Sequence, residues 1–235
     1  MTNKTDFDAT NRFGDKHACV YDEKIRKVIR GYSEMHDLTY YLLKDNLTEN
    51  AKILVVGIGT GHEAVTYAEN QEGWHIIGVD PTPEMVKSST NKIIQLGLAD
   101  KIDVVEGKVD KLKENNFDAA TSILVMQFLK DNGDKEAYLQ DISAKLKKGA
   151  KFVLIDLEGE KDSEKFNLLL SAWKSHQYNT RDDKEQIDKD FEHVDADLQF
   201  IPGERIVDLL QITGFTNVCK FYQSYLFGGY IAEKA

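Results

Sequence analysis

The chain has 235 residues, of which 41% are hydrophobic and three are proline. The length predicts one large domain or one domain with a small appendage, and the composition argues against a disordered or collagenous chain. The net charge of −10, from 30 basic and 40 acidic side chains, argues against a broad basic surface for nucleic acid or anionic lipid. No apolar run approaches the ~20 residues of a membrane span, and the polar amino terminus has no signal-peptide core. Two cysteines in unrelated contexts, Cys19 and Cys219, form no disulfide framework. We therefore expect a cytoplasmic protein with reduced thiols.

Two amphipathic segments precede the first strand. Apolar residues recur at helical spacing between Val20 and Ile29 and again between Met35 and Leu42, and the pair Gly31-Tyr32 separates the two segments. We expect residues 1–48 to form a helical cap over one mouth of a sheet. Residues 49–235 are expected to form the main folding unit.

From residue 51 onward, Val- and Ile-rich runs alternate with segments of helical period. The runs are continuous rather than alternating, as is typical of parallel strands covered on both faces. They span residues 53–56, 74–79, 102–105, 117–125 and 152–157. The pattern predicts an α/β fold with a mostly parallel sheet and helices on both faces.

Helix signals and a terminal hairpin complete this pattern. One helix is expected to begin at Thr82-Pro83, another to span residues 134–147 before Gly149, and a third to span residues 204–213. The charged stretch 181–190 predicts a solvated helix or loop. Runs at 216–222 and 226–232 predict a hairpin that ends the sheet antiparallel.

The first strand leads directly into three alternating glycines, Gly57, Gly59 and Gly61. Glycines at these positions let a cofactor lie against the main chain at the amino terminus of a helix. His62 stands where a dinucleotide fingerprint needs its third glycine, which disfavours NAD and FAD. The loop also lacks the Gly-Lys-Ser/Thr sequence of ATP- and GTP-binding loops.

Asp80 is an acidic residue that follows the glycine loop at a spacing typical of nucleoside-binding folds. Asp80 stands nineteen residues after Gly61, at the tip of the second strand, where it can accept both hydroxyl protons of a ribose. Alone, the glycines could form a simple turn, and Asp80 could start a turn at Pro81. Together, in this order inside an α/β pattern, they predict a nucleoside cofactor.

The sequences VVGIGTG and GVD and the terminal hairpin resemble the class I S-adenosylmethionine-dependent methyltransferases over residues from about 50 to 235. The resemblance implies a Rossmann-like, seven-stranded, mostly parallel sheet with an antiparallel last strand. It also implies S-adenosyl-L-methionine as cofactor, across the carboxyl ends of the first strands. The cofactor-binding residues that it implies are Gly57, Ile58, Gly59, Gly61, Asp80, Pro81, Lys108, Val109, Ser122 and Ile123. Lys108 departs from the pattern, since the family often has an acid there.

Nearly the whole chain is similar to the branch that contains the carboxy-S-adenosylmethionine synthases of wobble-uridine modification. The motifs that carry this similarity are Tyr21-Asp22-Glu23, Gly31-Tyr32-Ser33, Met126-Gln127-Phe128-Leu129 and the tail at 221–228. The branch implies a cofactor contact by Tyr32, which could instead be a helix-packing aromatic. Phe191 stands where the synthases have a carboxylate-binding arginine, and an aromatic ring cannot replace that pairing, although Arg181 could do so from the neighbouring turn. Transfer of a methyl group from the plain cofactor is therefore favoured.

The substrate half carries weaker signals. Methyl transfer from a sulfonium is a direct displacement, so a base is needed only where the acceptor carries a proton. Asp156 and Glu158 lie at or beyond the end of the fifth strand, and residues 160–200 offer a substrate lid. The lid contains His176, Tyr178 and His193, and each candidate has a structural or solvated alternative. His62 is explained as packing at a helix start, and the lack of CxxC or HxxxH predicts no metal.

These features lead to a main hypothesis and two alternatives. The main hypothesis is an S-adenosylmethionine-dependent enzyme that methylates O or N of a small-molecule metabolite, without nucleic acid or membrane partners. The alternatives are a carboxy-S-adenosylmethionine synthase-like tRNA-modification enzyme and a non-catalytic cofactor-binding protein. The aromatic tail at 221–230 offers a homodimer contact, although half of a strand should face the core.

Overall fold

The computed structural model describes the backbone of residues 15–235 and the side chains from Tyr21 onward. The polar segment at 1–14 and the Cys19 thiol lie outside this described part, whereas Cys219 is a free, exposed thiol. Within the described residues, no helix has the length and apolar character that a membrane span requires.

Seven strands form a single sheet in the order β3-β2-β1-β4-β5-β7-β6. Strands β1 to β5 are parallel, and β7 runs antiparallel between β5 and β6. The strands are β1 (Lys52–Val56), β2 (His75–Asp80), β3 (Ile102–Glu106), β4 (Phe117–Ile123), β5 (Leu146–Leu157), β6 (Phe215–Ser224) and β7 (Phe227–Lys234). The predicted seven-stranded, mostly parallel sheet with an antiparallel end is thus confirmed.

Eight α-helices occur in the described part of the chain. They are α1 (Asp15–Val28), α2 (Tyr32–Lys44), α3 (His62–Asn70), α4 (Pro83–Gln95), α5 (Asp134–Lys145), α6 (Glu164–Thr180), α7 (Lys184–Asp197) and α8 (Gly203–Ile212). Short 3₁₀ turns occupy Val109–Lys111 and Met126–Phe128. The helix starts expected at Thr82-Pro83 and near His62 are confirmed.

Three local predictions are wrong. The helix expected over residues 134–147 ends at Lys145, because Leu146 pairs with Phe117 and begins β5. The strand expected over 117–125 ends at Ile123, because Leu124 turns the chain with a φ of 61°. The charged stretch 181–190 is not simply solvated, since it enters α7 and buries Ile187 completely.

Apolar side chains form one core layer on each face of the sheet. Successive residues of β1 and β5 alternate between the layers, as the two-residue period of a strand requires. Ile53 and Val153 face the layer that contains α2, α3 and α6, while Leu54 and Phe152 face the layer that contains α5 and α8. Helices therefore cover both faces, as predicted.

The end of α1 is tied to the distant α6 and β6. Trp173 Nε1 donates to the Val28 carbonyl at 2.9 Å, and Gln177 Nε2 donates to the Lys27 carbonyl at 3.0 Å. The Tyr222 hydroxyl donates to the Arg30 carbonyl at 3.1 Å. These side chains satisfy carbonyls that the end of a helix leaves without partners. Gly31, with a φ of 78°, then redirects the chain into α2.

Candidate functional site

The glycine loop joins β1 to α3 at the carboxyl edge of the sheet. Gly57, Gly59 and Gly61 all have positive φ values, of 74°, 53° and 80°. The amides of Gly57 and Ile58 donate to the Val79 carbonyl at 2.8 and 3.1 Å, which holds the loop against β2. A Cβ added at Gly59 would meet no atom nearer than the Gly57 carbonyl oxygen, at 3.9 Å. The main chain at Gly59 is therefore open to close approach by a cofactor.

The Ile58 side chain packs the glycine loop against β2. The side chain is buried against Gly78 of β2, where an added Cβ would lie 2.2 Å from Ile58 Cδ1. Gly78 is therefore required for the loop to sit this close to the sheet. This arrangement leaves the main chain of Ile58, rather than its side chain, for the predicted cofactor contact.

Asp80 connects the glycine loop to the start of α4. Its carboxylate accepts the Gly59 amide at 3.0 Å and the Thr82 amide at 2.9 Å. Burial raises the pKa of Asp80, and the hydrogen bonds from Thr82 and Gly59 partly oppose that rise. Each carboxylate oxygen has a second lone pair, so the group can hold the loop and still accept ribose hydroxyls.

The other predicted cofactor residues lie at or just beyond the ends of β2, β3 and β4. Val109 is buried, whereas Lys108 and Pro81 are exposed. Ser122 is buried, and its hydroxyl lies 2.6 Å from the Tyr138 hydroxyl. The parallel strand pairing of β1 with β2 and β4, and of β2 with β3, brings these ends to one edge of the sheet.

Tyr32 belongs to an aromatic cluster beside the glycine loop. Its ring centroid lies 4.6 Å from His36 and 6.0 Å from His62, and the Arg26 guanidinium lies 5.6 Å from the Tyr32 centroid. His62 Nε2 is 3.1 Å from an Arg26 nitrogen. The cluster agrees with packing at the helix start for His62, and it leaves the cofactor contact of Tyr32 a prediction.

The sequence alone does not indicate that His36, one turn after Tyr32 in α2, belongs to this aromatic cluster. Neither ring nitrogen of His36 has a hydrogen-bond partner among the described residues. Burial lowers the pKa of His36 to about 3, with further lowering by His62 and Arg26. The imidazole is therefore neutral at physiological pH. Its i,i+4 spacing from Tyr32 is the one signal that could have placed it in this cluster.

Asp22 of α1 reaches the same loop. Its carboxylate accepts the Thr60 hydroxyl at 2.5 Å and Lys92 Nζ at 3.1 Å. Burial alone would raise the pKa of Asp22, but the hydrogen bonds from Thr60 and Lys92 outweigh it and lower the pKa. Asp22 thereby fixes α1 against both the glycine loop and α4.

A cavity of about 130 Å³ lies beyond the end of β4, between α1, α6 and α7. Most of its wall is apolar and includes Ile25, Leu124, Phe128, Trp173 and Val194. The polar groups on the wall are Tyr21, Lys24, Gln127, Asp190 and His193. A mainly apolar cavity with a few polar groups is typical of small-molecule sites.

Of the candidate bases in the lid segment, the cavity includes His193 alone among its lining residues. His193 Nδ1 lies 2.5 Å from an Asp197 carboxylate oxygen. Tyr178 is exposed and donates to Asp188. His176 lines a separate surface depression together with Arg26 and Arg30.

The sequence left two roles open for Asp156 and Glu158, catalysis or a solvated strand end. The structure excludes the solvated strand end, because both side chains are buried. Asp156 is fully buried and accepts the Gln127 amide at 3.0 Å, which fixes the Met126–Phe128 turn. Burial raises the pKa of Asp156 to about 6, although Lys135 opposes the rise. Glu158 is buried between Lys220 and Tyr230 and hydrogen-bonds to both.

The suggested replacement arginine is already paired. Arg181 donates to Asp190 at 2.8 Å and to Gln177 Oε1 at 3.0 Å. Phe191 is buried against Trp173, with ring centroids 4.9 Å apart. The guanidinium of Arg181 is therefore not free for an extra carboxylate, and Phe191 has no guanidinium. No group of three or more His, Cys, Asp or Glu side chains in the described part of the chain is arranged to hold a metal.

Comparisons with known proteins agree with this geometry. The sequence profile of the methyltransferase-domain family matches residues 54–154. Carboxy-S-adenosyl-L-methionine synthases from Yersinia enterocolitica and Yersinia pestis are similar to the chain, with 23% identity over 232 residues and 24% over 225 residues. Each alignment covers 95% of this chain and 84% of the relative.

Solved structures share the fold. A magnesium protoporphyrin IX methyltransferase from Synechocystis, solved with SAH bound, superposes with a TM-score of 0.70 and 13% identity, covering 96% of this chain and 98% of that one. An O-methyltransferase family protein from Burkholderia thailandensis gives a TM-score of 0.64 and 13% identity, covering 97% of this chain and 60% of that one. Residues 54–154 therefore match the methyltransferase-domain family, the chain shares the fold of these methyltransferases, and S-adenosylmethionine is the cofactor that the comparisons support.

Proposed function

We propose that this protein transfers the methyl group of S-adenosylmethionine to an oxygen or nitrogen atom of a small-molecule metabolite. The observation that carries the proposal is the position of the mainly apolar cavity. Leu124 lines it and follows directly on Ser122 and Ile123, the residues predicted to lie near the methionine part of the cofactor. A donor held at the strand ends would thus face a space suited to a small acceptor.

The strand ends offer each part of the donor a matching group. The open main chain at Gly59 suits close approach, the Asp80 carboxylate suits the ribose hydroxyls, and buried Val109 suits the adenine face. When bound, the cofactor supplies an electrophilic methyl group on a sulfonium. The chain's own residues then need to align the acceptor and exclude water.

His193 is the proposed base for an acceptor that carries a proton. It lines the cavity, and the Asp197 carboxylate at Nδ1 favours the neutral tautomer that is protonated on Nδ1. A neutral imidazole on the cavity wall is the kind of group that takes a proton from an acceptor. Asp156 supports the site differently, by holding the Met126–Phe128 turn through the Gln127 amide.

Incubation of the purified protein with methyl-labelled S-adenosylmethionine and a cell extract tests the proposal. We expect label in the small-molecule fraction and its loss in the variant Asp80→Ala. Label confined to RNA or protein would contradict a small-molecule acceptor. Absence of transfer to any fraction, despite measured cofactor binding, would favour a non-catalytic cofactor-binding protein.

A second candidate function is synthesis of carboxy-S-adenosylmethionine for tRNA modification. This function is favoured by the Yersinia relatives, which are named carboxy-S-adenosyl-L-methionine synthases and align over 95% of the chain. Buried Phe191 and the pairing of Arg181 with Asp190 count against it. Mass spectrometry of the nucleoside released from the purified protein separates the two functions, because carboxy-S-adenosylmethionine carries an additional carboxyl group.

The cytoplasmic location and the homodimer remain proposals. The net charge of −10 supports a partner other than nucleic acid.

β6 forms one edge of the sheet and exposes Thr216, Cys219 and Lys220, so a second copy of the chain could contact the aromatic tail there. Sedimentation analysis tests the homodimer, and a monomer at micromolar concentration would contradict it.

A further inference from the structure

Gln127 places a buried acceptor without a partner on the cavity wall. The residue is 7% exposed, and its Oε1 has no hydrogen-bond partner among the described residues. Buried side-chain oxygens are ordinarily hydrogen-bonded, because an unpaired one loses its interaction with water and gains nothing. An unpaired acceptor on the wall of a small-molecule cavity therefore indicates a hydrogen bond that a ligand would complete.

The side-chain amide of Gln127 has a defined orientation. Its Nε2 donates to the Leu124 carbonyl at 3.3 Å. A carbonyl oxygen can only accept, so the NH₂ group must face Leu124 and the oxygen must occupy the opposite position. The group without a partner is thus the acceptor Oε1 rather than a donor.

The backbone at Gln127 is held on both sides. Its amide donates to buried Asp156 at 3.0 Å, and its carbonyl accepts the Gln199 amide at 2.8 Å. Lys135 Nζ donates to the neighbouring Met126 carbonyl at 2.8 Å. A turn fixed in this way presents the acceptor without a further ordering cost on binding.

The charged groups around the cavity pair with one another. Lys24 Nζ lies 2.7 Å from Asp190, which also accepts Arg181 at 2.8 Å. His193 lies 2.5 Å from Asp197. A charged ligand would have to compete with these pairs, whereas a neutral ligand would not.

We infer that Gln127 selects the methyl acceptor, by accepting a hydrogen bond from an N–H or O–H of a neutral, largely apolar molecule in this cavity. The inference rests on the proposed function in that it takes the occupant to be the methyl acceptor. It makes Gln127 a specificity-determining residue. A pocket that hydrogen-bonds its ligand rejects an analogue without the donor, because Oε1 is then left unpaired.

Phenol and toluene are the probes that test this inference. They have similar shapes, but only phenol carries a donor. An engineered cavity of about 150 Å³ binds benzene, so rings of this size suit a cavity of about 130 Å³. Ligand-observed NMR titration gives the ratio of the toluene Kd to the phenol Kd for the wild type and for Gln127→Met, which keeps an unbranched side chain without the amide.

We expect this ratio to fall roughly fivefold or more in Gln127→Met, because phenol loses its acceptor and toluene does not. Val194→Ala is the matched control, since it changes an apolar part of the wall and should shift both Kd values while leaving their ratio unchanged. Gln127→Leu provides a second truncation if Gln127→Met does not fold.

A ratio that stays within about twofold in the Gln127 variants, or a wild type that binds neither probe, would overturn the inference. The outcome is separable from that of the proposed function. Altered probe selectivity without any methyl transfer would leave the recognition by Gln127 standing and refute the transfer. Methyl transfer with unaltered selectivity would do the reverse.

Discussion

The proposed cofactor site at the strand ends and the neighbouring cavity differ in the contacts that hold them together. We call them the donor wall and the acceptor wall of one cleft. On the donor wall, β1, the glycine loop and β2 are joined by backbone amides, such as Gly57 to the Val79 carbonyl and Gly59 to Asp80. On the acceptor wall, side chains join distant segments: Trp173 bonds to Val28 across 145 positions, and Lys24 pairs with Asp190 across 166. Backbone amides therefore help to build the donor wall, together with the side chains of Ile58 and Asp22, whereas side-chain packing between distant segments builds the acceptor wall.

The difference has a functional consequence. A wall fixed by main-chain groups tolerates substitution of most side chains, so it suits one constant donor. A wall fixed by packed side chains changes shape when any of them changes, so it suits recognition of a particular acceptor. Changes on the acceptor wall should accordingly affect folding stability, and changes at Asp80 should affect donor affinity.

The largest expected effect is on the acceptor wall, at Trp173. The side chain is 2% exposed and packs against Phe191 and Phe227, with ring centroids 4.9 and 5.0 Å apart. Trp173→Ala should lower the free energy of unfolding by about 3–5 kcal/mol, measured by urea denaturation. Trp173→Phe, which keeps a ring and loses the N–H donor to Val28, should cost less. A loss below about 1 kcal/mol in Trp173→Ala would contradict a packing-dependent wall.

On the donor wall, Asp80→Ala should weaken S-adenosylmethionine binding by about 1–3 kcal/mol, which is roughly 5- to 150-fold in Kd. The variant loses the charged acceptor for the ribose and also frees the amides of Gly59 and Thr82. Titration calorimetry measures the change. Asp103→Ala removes an exposed acid from β3 and serves as the matched control, with donor affinity expected to stay at the wild-type value. Equal affinities for all three proteins would remove Asp80 from the donor site.

Gly78→Ala tests how tightly the glycine loop lies against β2. The added methyl group would lie 2.2 Å from Ile58 Cδ1 and 2.8 Å from Ile58 Cβ. We expect a loss of about 1–3 kcal/mol in the free energy of unfolding, followed by thermal denaturation. The double variant Gly78→Ala/Ile58→Ala removes the contact with Cδ1 and should therefore lose less stability than the sum of the two single changes. A loss equal to or greater than that sum would refute the clash with Cδ1 as the cause.

The smallest effect concerns pH and His36. The folded state holds His36 with a pKa of about 3, below the unfolded value near 6.5, so the unfolded chain takes up the proton first. This group's contribution to stability is complete above pH 6.5 and is lost as pH falls. Between pH 6.5 and 5.5 the wild type should lose about 1 kcal/mol more than His36→Leu, measured by urea denaturation at each pH. Parallel pH profiles for the two proteins would contradict a buried neutral imidazole.

The same contrast explains what the sequence could predict. The succession of strands along the chain, the glycine loop, Asp80 and the terminal hairpin leave local patterns in the sequence, so spacing and composition reveal them. The role of Gln127 depends on Asp156, Gln199 and the α6–α7 region, which no local pattern relates to it. The error at Leu146 has the same origin, because its pairing with Phe117 overrides the helical periodicity before it.

The most direct test of this two-walled cleft is a crystal structure with S-adenosylhomocysteine bound. The account predicts ribose hydroxyls on the Asp80 carboxylate, adenine against Val109, and the sulfur directed toward the cavity beside Leu124 and Gln127. A ligand bound away from the glycine loop, or with its sulfur directed away from that cavity, would contradict it.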